Sequence, residues 1–84
     1  MKIIKSEDFL RALKKLPGDI QELVSQQESR FIEDPSDSRL HLKKLQGKPY
    51  FSLRVTSRYR VLLYFIDETT AKWIDIDHRK DVYR

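Results

Sequence analysis

The spacing of apolar residues changes once along this 84-residue chain, and that change constrains the fold more than any other feature. Between Phe9 and Phe31, apolar side chains recur every three or four residues, the repeat of one helix face. From Tyr50 to Ile76 they fall instead into three short runs rich in aromatic and β-branched residues, which is strand composition. A chain with helices first and a run of strands after them buries both apolar surfaces by packing the helices on one face of a sheet.

The helical part has its own punctuation. Lys2 to Lys5 is compatible with a short first strand that ends at Ser6. Ser6 is then placed as a helix N-cap, with Glu7 and Asp8 in the first turn where the helix dipole favours negative charge. Phe9, Leu10, Leu13 and Leu16 follow at helical spacing, so the first helix runs to about Leu16, where Pro17 and Gly18 interrupt it. Asp19 can cap a second helix whose Ile20, Leu23, Val24, Gln27 and Phe31 keep one face largely apolar until Asp34 and Pro35. The two helices make a hairpin, and their stripes are core rather than a cofactor site.

Residues 35–48 are polar and turn-rich, anchored only by Leu40, Leu42 and Leu45, and are expected to form a connecting loop closing on Gln46-Gly47-Lys48-Pro49. Three strands are predicted next, over Tyr50 to Thr56, Tyr59 to Ile66 and Ala71 to Ile76, with Asp67 to Thr70 turning between the last two. If Phe51, Leu53 and Val55 pack on the helices, Arg54 lies on the opposite face. In the next strand Tyr59, Val61, Leu63 and Phe65 share one face and Arg60, Leu62, Tyr64 and Ile66 the other. The predicted order is β-α-α-β-β-β, an α+β fold with an N-terminal strand, a helix hairpin and an antiparallel sheet.

Eighty-four residues suit one domain spanning 1–84, since so short a chain closes one modest core. There is no cysteine, so neither disulfides nor a thiolate nucleophile are available, and a reducing, cytoplasmic setting is expected. The N-terminus has too short an apolar run for a signal-peptide core, and no stretch approaches a membrane span. The net charge of +4 is unevenly placed: residues 1–38 hold six Lys/Arg against eight Asp/Glu, residues 39–84 eleven against five. The basic half is where a polyanion would bind.

Arginines inside strands of a small domain are expected at an open face or rim, meeting water or an anion. Arg54 and Arg60, on neighbouring strands, can form a phosphate clamp or pair with Asp75 or Asp77 across the sheet. His78-Arg79-Lys80-Asp81-Val82-Tyr83-Arg84 gathers a histidine, a phenol and three cations after the last strand, although a solvated charged tail has the same composition. Cutting RNA without a metal takes one group to remove the 2′-OH proton, one to protonate the departing 5′-oxygen, and cations on the phosphate. His78 and Tyr83 suit proton transfer, and Arg54, Arg60 and Arg79 suit the phosphate. Tyr50, Tyr59 and Tyr83 can stack bases if exposed. The two histidines stand far apart with no short-range ligand spacing, so neither a metal nor any other cofactor is expected.

Three local patterns in this order resemble the RelE/ParE superfamily of type II toxin-antitoxin toxins. They are Leu42-Lys43-Lys44-Leu45-Gln46-Gly47, then Ser52-Leu53-Arg54-Val55 with Tyr59-Arg60-Val61-Leu62, and the closing His78-Arg79-Lys80-Asp81-Val82-Tyr83. The resemblance implies ribosome-dependent cleavage of messenger RNA by 2′-OH attack, inhibition of translation, and neutralisation by a cognate antitoxin. It also leaves open a ParE-like toxin that inhibits DNA gyrase by binding, without nuclease activity. Carried onto this chain, it assigns Arg54, Arg60, His78, Arg79 and Tyr83 to catalysis. Lys43, Lys44, Lys48, Arg58, Lys80 and Arg84 supply further cations for RNA. Ser52 departs from RelE-type members, which carry a second lysine on this strand, and that departure moves the general-base role toward His78. The expected partners are an antitoxin, the ribosome and messenger RNA, with no membrane and no small-molecule cofactor.

Overall fold

The computed structural model describes residues 1–78. Strand β1 (Lys2–Lys5) leads into helix α1 (Glu7–Lys14), and after Pro17 comes helix α2 (Gly18–Glu33). A single 3₁₀ turn at Ser38–Leu40 and the two-residue strand β2 (Lys43–Lys44) precede β3 (Phe51–Arg54), β4 (Tyr59–Phe65) and β5 (Thr70–His78). The five strands form one sheet in the order β1-β5-β4-β3-β2. The β-α-α-β-β-β order of the sequence reading is present, with β2 added and with β1 pairing parallel to β5 while every other pair is antiparallel. Parallel pairing follows from the connection: the helix hairpin and β3–β4 lie between β1 and β5, and the long return brings the last strand up beside the first.

The helices start and stop for different reasons. Ser6 caps α1, its hydroxyl accepting the Phe9 N–H at 3.0 Å, and Glu7 and Asp8 follow in the first turn. Asp19 does not cap α2: the cap position is Pro17, which makes no side-chain cap bond, and Asp19 sits inside the first turn as dipole charge. Both helices pack on one face of the sheet. Phe9, Val24 and Phe31 from the helices meet Leu53, Val61, Leu63, Ala71, Trp73 and Ile76 from the strands. Trp73 stands at the centre, edge-on to Phe9 at 5.7 Å and to Phe31 at 5.6 Å, contacts worth about 0.5–1.5 kcal/mol each beyond burial.

Gln27, predicted as part of the apolar stripe, is buried and fully engaged. Its Nε2 donates to the Arg39 carbonyl at 3.0 Å and the Arg54 carbonyl at 2.6 Å, while its Oε1 accepts from Arg30 at 2.8 Å. The amide thus ties α2 to the 3₁₀ turn and to the end of β3.

A bulge decides which face the end of β5 presents. Leu63 is opposite Trp73 and Leu62 opposite Asp75, so Ile74 is an extra residue in the β5 ladder. Strict alternation would place Trp73 and Ile76 on opposite faces. With Ile74 inserted, both are buried in the core, at 0% and 2% exposure, and Asp75 and Asp77 fall opposite Leu62 and Arg60. Ser6 holds this irregularity: its N–H bonds the Trp73 carbonyl at 3.0 Å and its hydroxyl the Ile74 carbonyl at 2.8 Å.

Candidate phosphate-binding site

Among the described residues, the helices leave the second face of the sheet uncovered, and β3, β4 and β5 carry a row of charge across it. Arg54 of β3 is directly opposite Arg60 of β4, and Arg60 is directly opposite Asp77 of β5. Two guanidiniums side by side on adjacent strands repel unless an anion stands near them, and Asp77, directly opposite Arg60, places one in the row. Asp77 is therefore the carboxylate in register with the clamp, while Asp75 is opposite Leu62. Burial holds the Asp75 carboxyl above the usual carboxylate range, with Asp77 and Asp8 adding to the rise against the hydrogen bond from the Ile76 N–H.

The expectation that both arginines lie at an open rim is corrected for Arg60, which is only 5% exposed. It sits on β4, between β5 and β3 in the sheet, beside the buried Ser52. Its Nη1 lies 3.4 Å from the Ser52 hydroxyl, and Ser52 is itself fully buried. Serine at this position thus gives a neutral acceptor beside the guanidinium, where a lysine would add a third cation to the row. Arg54 is half-buried, and its Nε is a buried donor with no hydrogen-bond partner among the described residues. Gln27 grips the Arg54 backbone from the core side of the strand. Its apolar neighbours in the sequence gave no sign of this role; a glutamine within an otherwise apolar helix stripe was the available signal.

The remaining predicted residues divide. Lys43 is opposite Ser52, on the arginine side of the sheet, whereas Lys44 is opposite Phe51, which packs against the core. Lys43, Lys44 and Lys48 are exposed, as is Arg58 in the β3–β4 connection four residues after Arg54. The backbone of His78 closes β5 opposite Tyr59, which brings the final strand position to the hairpin end of the arginine row. Tyr59 is half-buried, and Tyr50, also half-buried, stands 6.2 Å from Tyr64. Arg79, Lys80, Tyr83 and Arg84 lie outside the described residues. Among those described, no group of three or more His, Cys, Asp or Glu is placed to hold a metal ion, and no helix is long and apolar enough to cross a membrane.

No family model and no curated protein matches the sequence. Solved structures do. The chain is similar to a chain of the toxin-antitoxin complex RelBE2 from Mycobacterium tuberculosis, at 29% identity over 93% of this chain and 96% of that one, with TM-score 0.76. It is similar to a chain of the RelB-RelE antitoxin-toxin complex from Methanococcus jannaschii, at 23% identity over 95% and 94%, with TM-score 0.77. It is also similar to YafQ from E. coli, at 12% identity over 99% and 98%, with TM-score 0.79. Coverage above nine-tenths on both sides means that the whole described arrangement, from β1 to β5, is shared.

Proposed function

Because the chain has the RelE-like toxin fold, we propose that it is the toxin of a type II toxin-antitoxin pair and cleaves messenger RNA on the ribosome. The observation that carries this reading is the Arg54–Arg60 pair, opposite each other in register on the sheet face that the helices leave uncovered. Attack of a 2′-hydroxyl on the adjacent phosphorus places added negative charge on the phosphate oxygens, and a fixed guanidinium pair stabilises it there. Ser52 and the surrounding strands hold Arg60 before substrate arrives, so little reorganisation is needed. Proton transfer falls to His78 and Tyr83, the base taking the 2′-OH proton and the acid returning one to the 5′-oxygen, with Arg79 as a further cation. Lys43, Lys48 and Arg58 extend the cationic surface along the RNA backbone. The antitoxin partner is inferred from the RelB-RelE complexes among the similar structures.

The test is cleavage of a defined message on programmed ribosomes. Wild-type protein is expected to leave a cyclic phosphate at the cut, and Arg60→Ala to slow cutting by roughly 10²–10³, the usual loss for one transition-state donor. Growth arrest with intact message, and with gyrase inhibited instead, would overturn the nuclease reading in favour of a ParE-like toxin.

A further inference from the structure

The sheet face that carries Arg54 and Arg60 holds a second row of side chains, nearer the β4–β5 turn. Tyr64 of β4 is directly opposite Lys72 of β5, and Lys72 is directly opposite Ile4 of β1. Tyr64 and Arg60 share one face of β4 four residues apart, so about 13 Å of strand separates the two rows. Tyr50 joins the row from the other side. Its carbonyl accepts the Leu45 N–H at 2.9 Å, and its ring stands 6.2 Å from that of Tyr64, inclined at 58°.

The row is little used by the fold. Tyr50, Tyr64 and Lys72 are half-buried, and among the described residues neither phenol nor the Lys72 ammonium takes part in a hydrogen bond or ion pair. Ile4 and Ile66, on the same face, are 47% and 49% exposed. Lys2, two residues before Ile4, adds an exposed cation on this face. Of the nearby carboxylates, Asp77 is opposite Arg60, Asp75 accepts the Ile76 N–H, and Asp67 accepts the Thr69 N–H and hydroxyl. Glu68, exposed in the β4–β5 turn, closes the cationic run at that end.

We propose that this row is a nucleobase subsite, in which a base of single-stranded RNA stacks on the Tyr64 ring with the Tyr50 ring at its edge, and Lys72 holds the adjoining phosphate. The occupant follows from the combination of groups. Aromatic rings flanked by exposed isoleucines suit the faces of a base, and an ammonium directly opposite the ring suits the phosphate joined to it. The arginine row lies about two nucleotides away along an extended strand. Rings inclined at 58° cannot both lie flat on one base, so one gives its face and the other its edge. A base held at Tyr64 fixes the register of the strand and thereby sets which phosphate meets Arg54 and Arg60. The subsite rests on reading the arginine row as an RNA site, and not on the cutting.

The test measures binding of the whole protein to 2′-O-methyl hexaadenylate, which has no free 2′-hydroxyl to attack with, and to an abasic hexamer of the same charge. Hexaadenylate is expected to bind at least about tenfold more tightly and to shift the Tyr50 and Tyr64 ring signals in NMR spectra. Tyr64→Phe should keep that preference, since stacking uses the ring and not the hydroxyl. Tyr64→Leu should lose it while binding the abasic hexamer as before, and Lys72→Gln should weaken both strands and lower the salt dependence by about one phosphate contact. Equal affinity of the wild type for the two hexamers overturns the subsite, even where Tyr64→Leu fails to fold, and so does a preference that survives in a folded Tyr64→Leu. Ring shifts with an acetylated hexapeptide alternating glutamate and leucine, and none with hexaadenylate, would assign the face to a protein and overturn it as well. An intact message on the ribosome beside a clear preference for bases would remove the cutting and uphold the subsite.

Discussion

Replacing Ser6 separates two jobs that its one hydroxyl performs. As acceptor it caps α1 through the Phe9 N–H, and as donor it holds the Ile74 carbonyl at the bulge, 68 residues away in sequence. Loss of a serine N-cap costs about 0.5–2 kcal/mol. Loss of the bond to a part-buried carbonyl adds about 0.5–1.5 kcal/mol. Ser6→Ala is therefore expected to destabilise the fold by about 2 kcal/mol, which for a domain of this size lowers Tm by roughly 8–16 °C. Ser6→Asp is the discriminating variant. Its carboxylate still accepts from Phe9 and suits the helix dipole, yet it has no proton for Ile74 and sets negative charge against that carbonyl. It should remain at least about 1 kcal/mol below wild type, while Ser6→Thr, which keeps both bonds, stays within about 0.5 kcal/mol. Thermal and urea unfolding of the four proteins measures this directly. If Ser6→Asp is as stable as wild type, the cap is the whole contribution and the staple on the bulge is refuted.

Gln27→Leu preserves the apolar stripe but leaves the Arg39 and Arg54 carbonyls without their donor, so urea unfolding should show a loss of about 2–4 kcal/mol. Two carboxylates shape the acid limb with opposite sign. Asp37 is held down to about 2, chiefly by the Arg39 side chain and then its N–H, so its stabilisation is present above the ordinary value of 3.8 and lost as pH falls toward 2. Asp75 is raised by burial, so its contribution runs the other way: stability is gained as pH falls through its elevated value. Urea midpoints followed from neutral to acid pH should show Asp75→Asn above wild type at neutral pH with the gap closing in acid, and Asp37→Asn with a flatter final decline. An Asp75→Asn variant less stable than wild type at neutral pH would contradict the burial argument. For RNA binding, Lys43→Ala should lower the salt dependence of affinity by about one phosphate contact, measured by filter binding over a salt series, and Lys44→Ala, on the core side of β2, should change it less.

The elements whose partners are near in sequence were legible. The two helices follow from Phe9 to Phe31 and the break at Pro17, and the β3–β4 hairpin follows from alternation, which also placed Arg54 and Arg60 on the face away from the core. Features fixed by distant contacts were not. Nothing in Lys2 to Lys5 announces a parallel partner at Thr70 to Trp73, and two lysines are too short a signal to mark β2. The bulge at Ile74 defeats a period-two reading because Trp73 and Ile76 both enter the core, and only the register shows that Asp77 rather than Asp75 meets Arg60. The depth of Arg60 was misjudged for a related reason: an arginine's charge argues for the rim, whereas a central strand with buried Ser52 beside it sets the side chain low.

The order of strands in the sheet has a consequence for how the molecule comes into being. β1, the earliest of the described strands to be made, has its place beside β5, the latest of them. At ordinary synthesis rates β1 waits roughly 3–14 s for that neighbour to be made. Until then a helix hairpin can collapse, but Trp73 is missing from its centre, Ser6 has no bulge to hold, and Arg60 has no β5 beside it. Closure of the sheet, which sets Asp77 opposite Arg60, is thus a late event, coming after the β3–β4 hairpin that pairs Arg54 with Arg60.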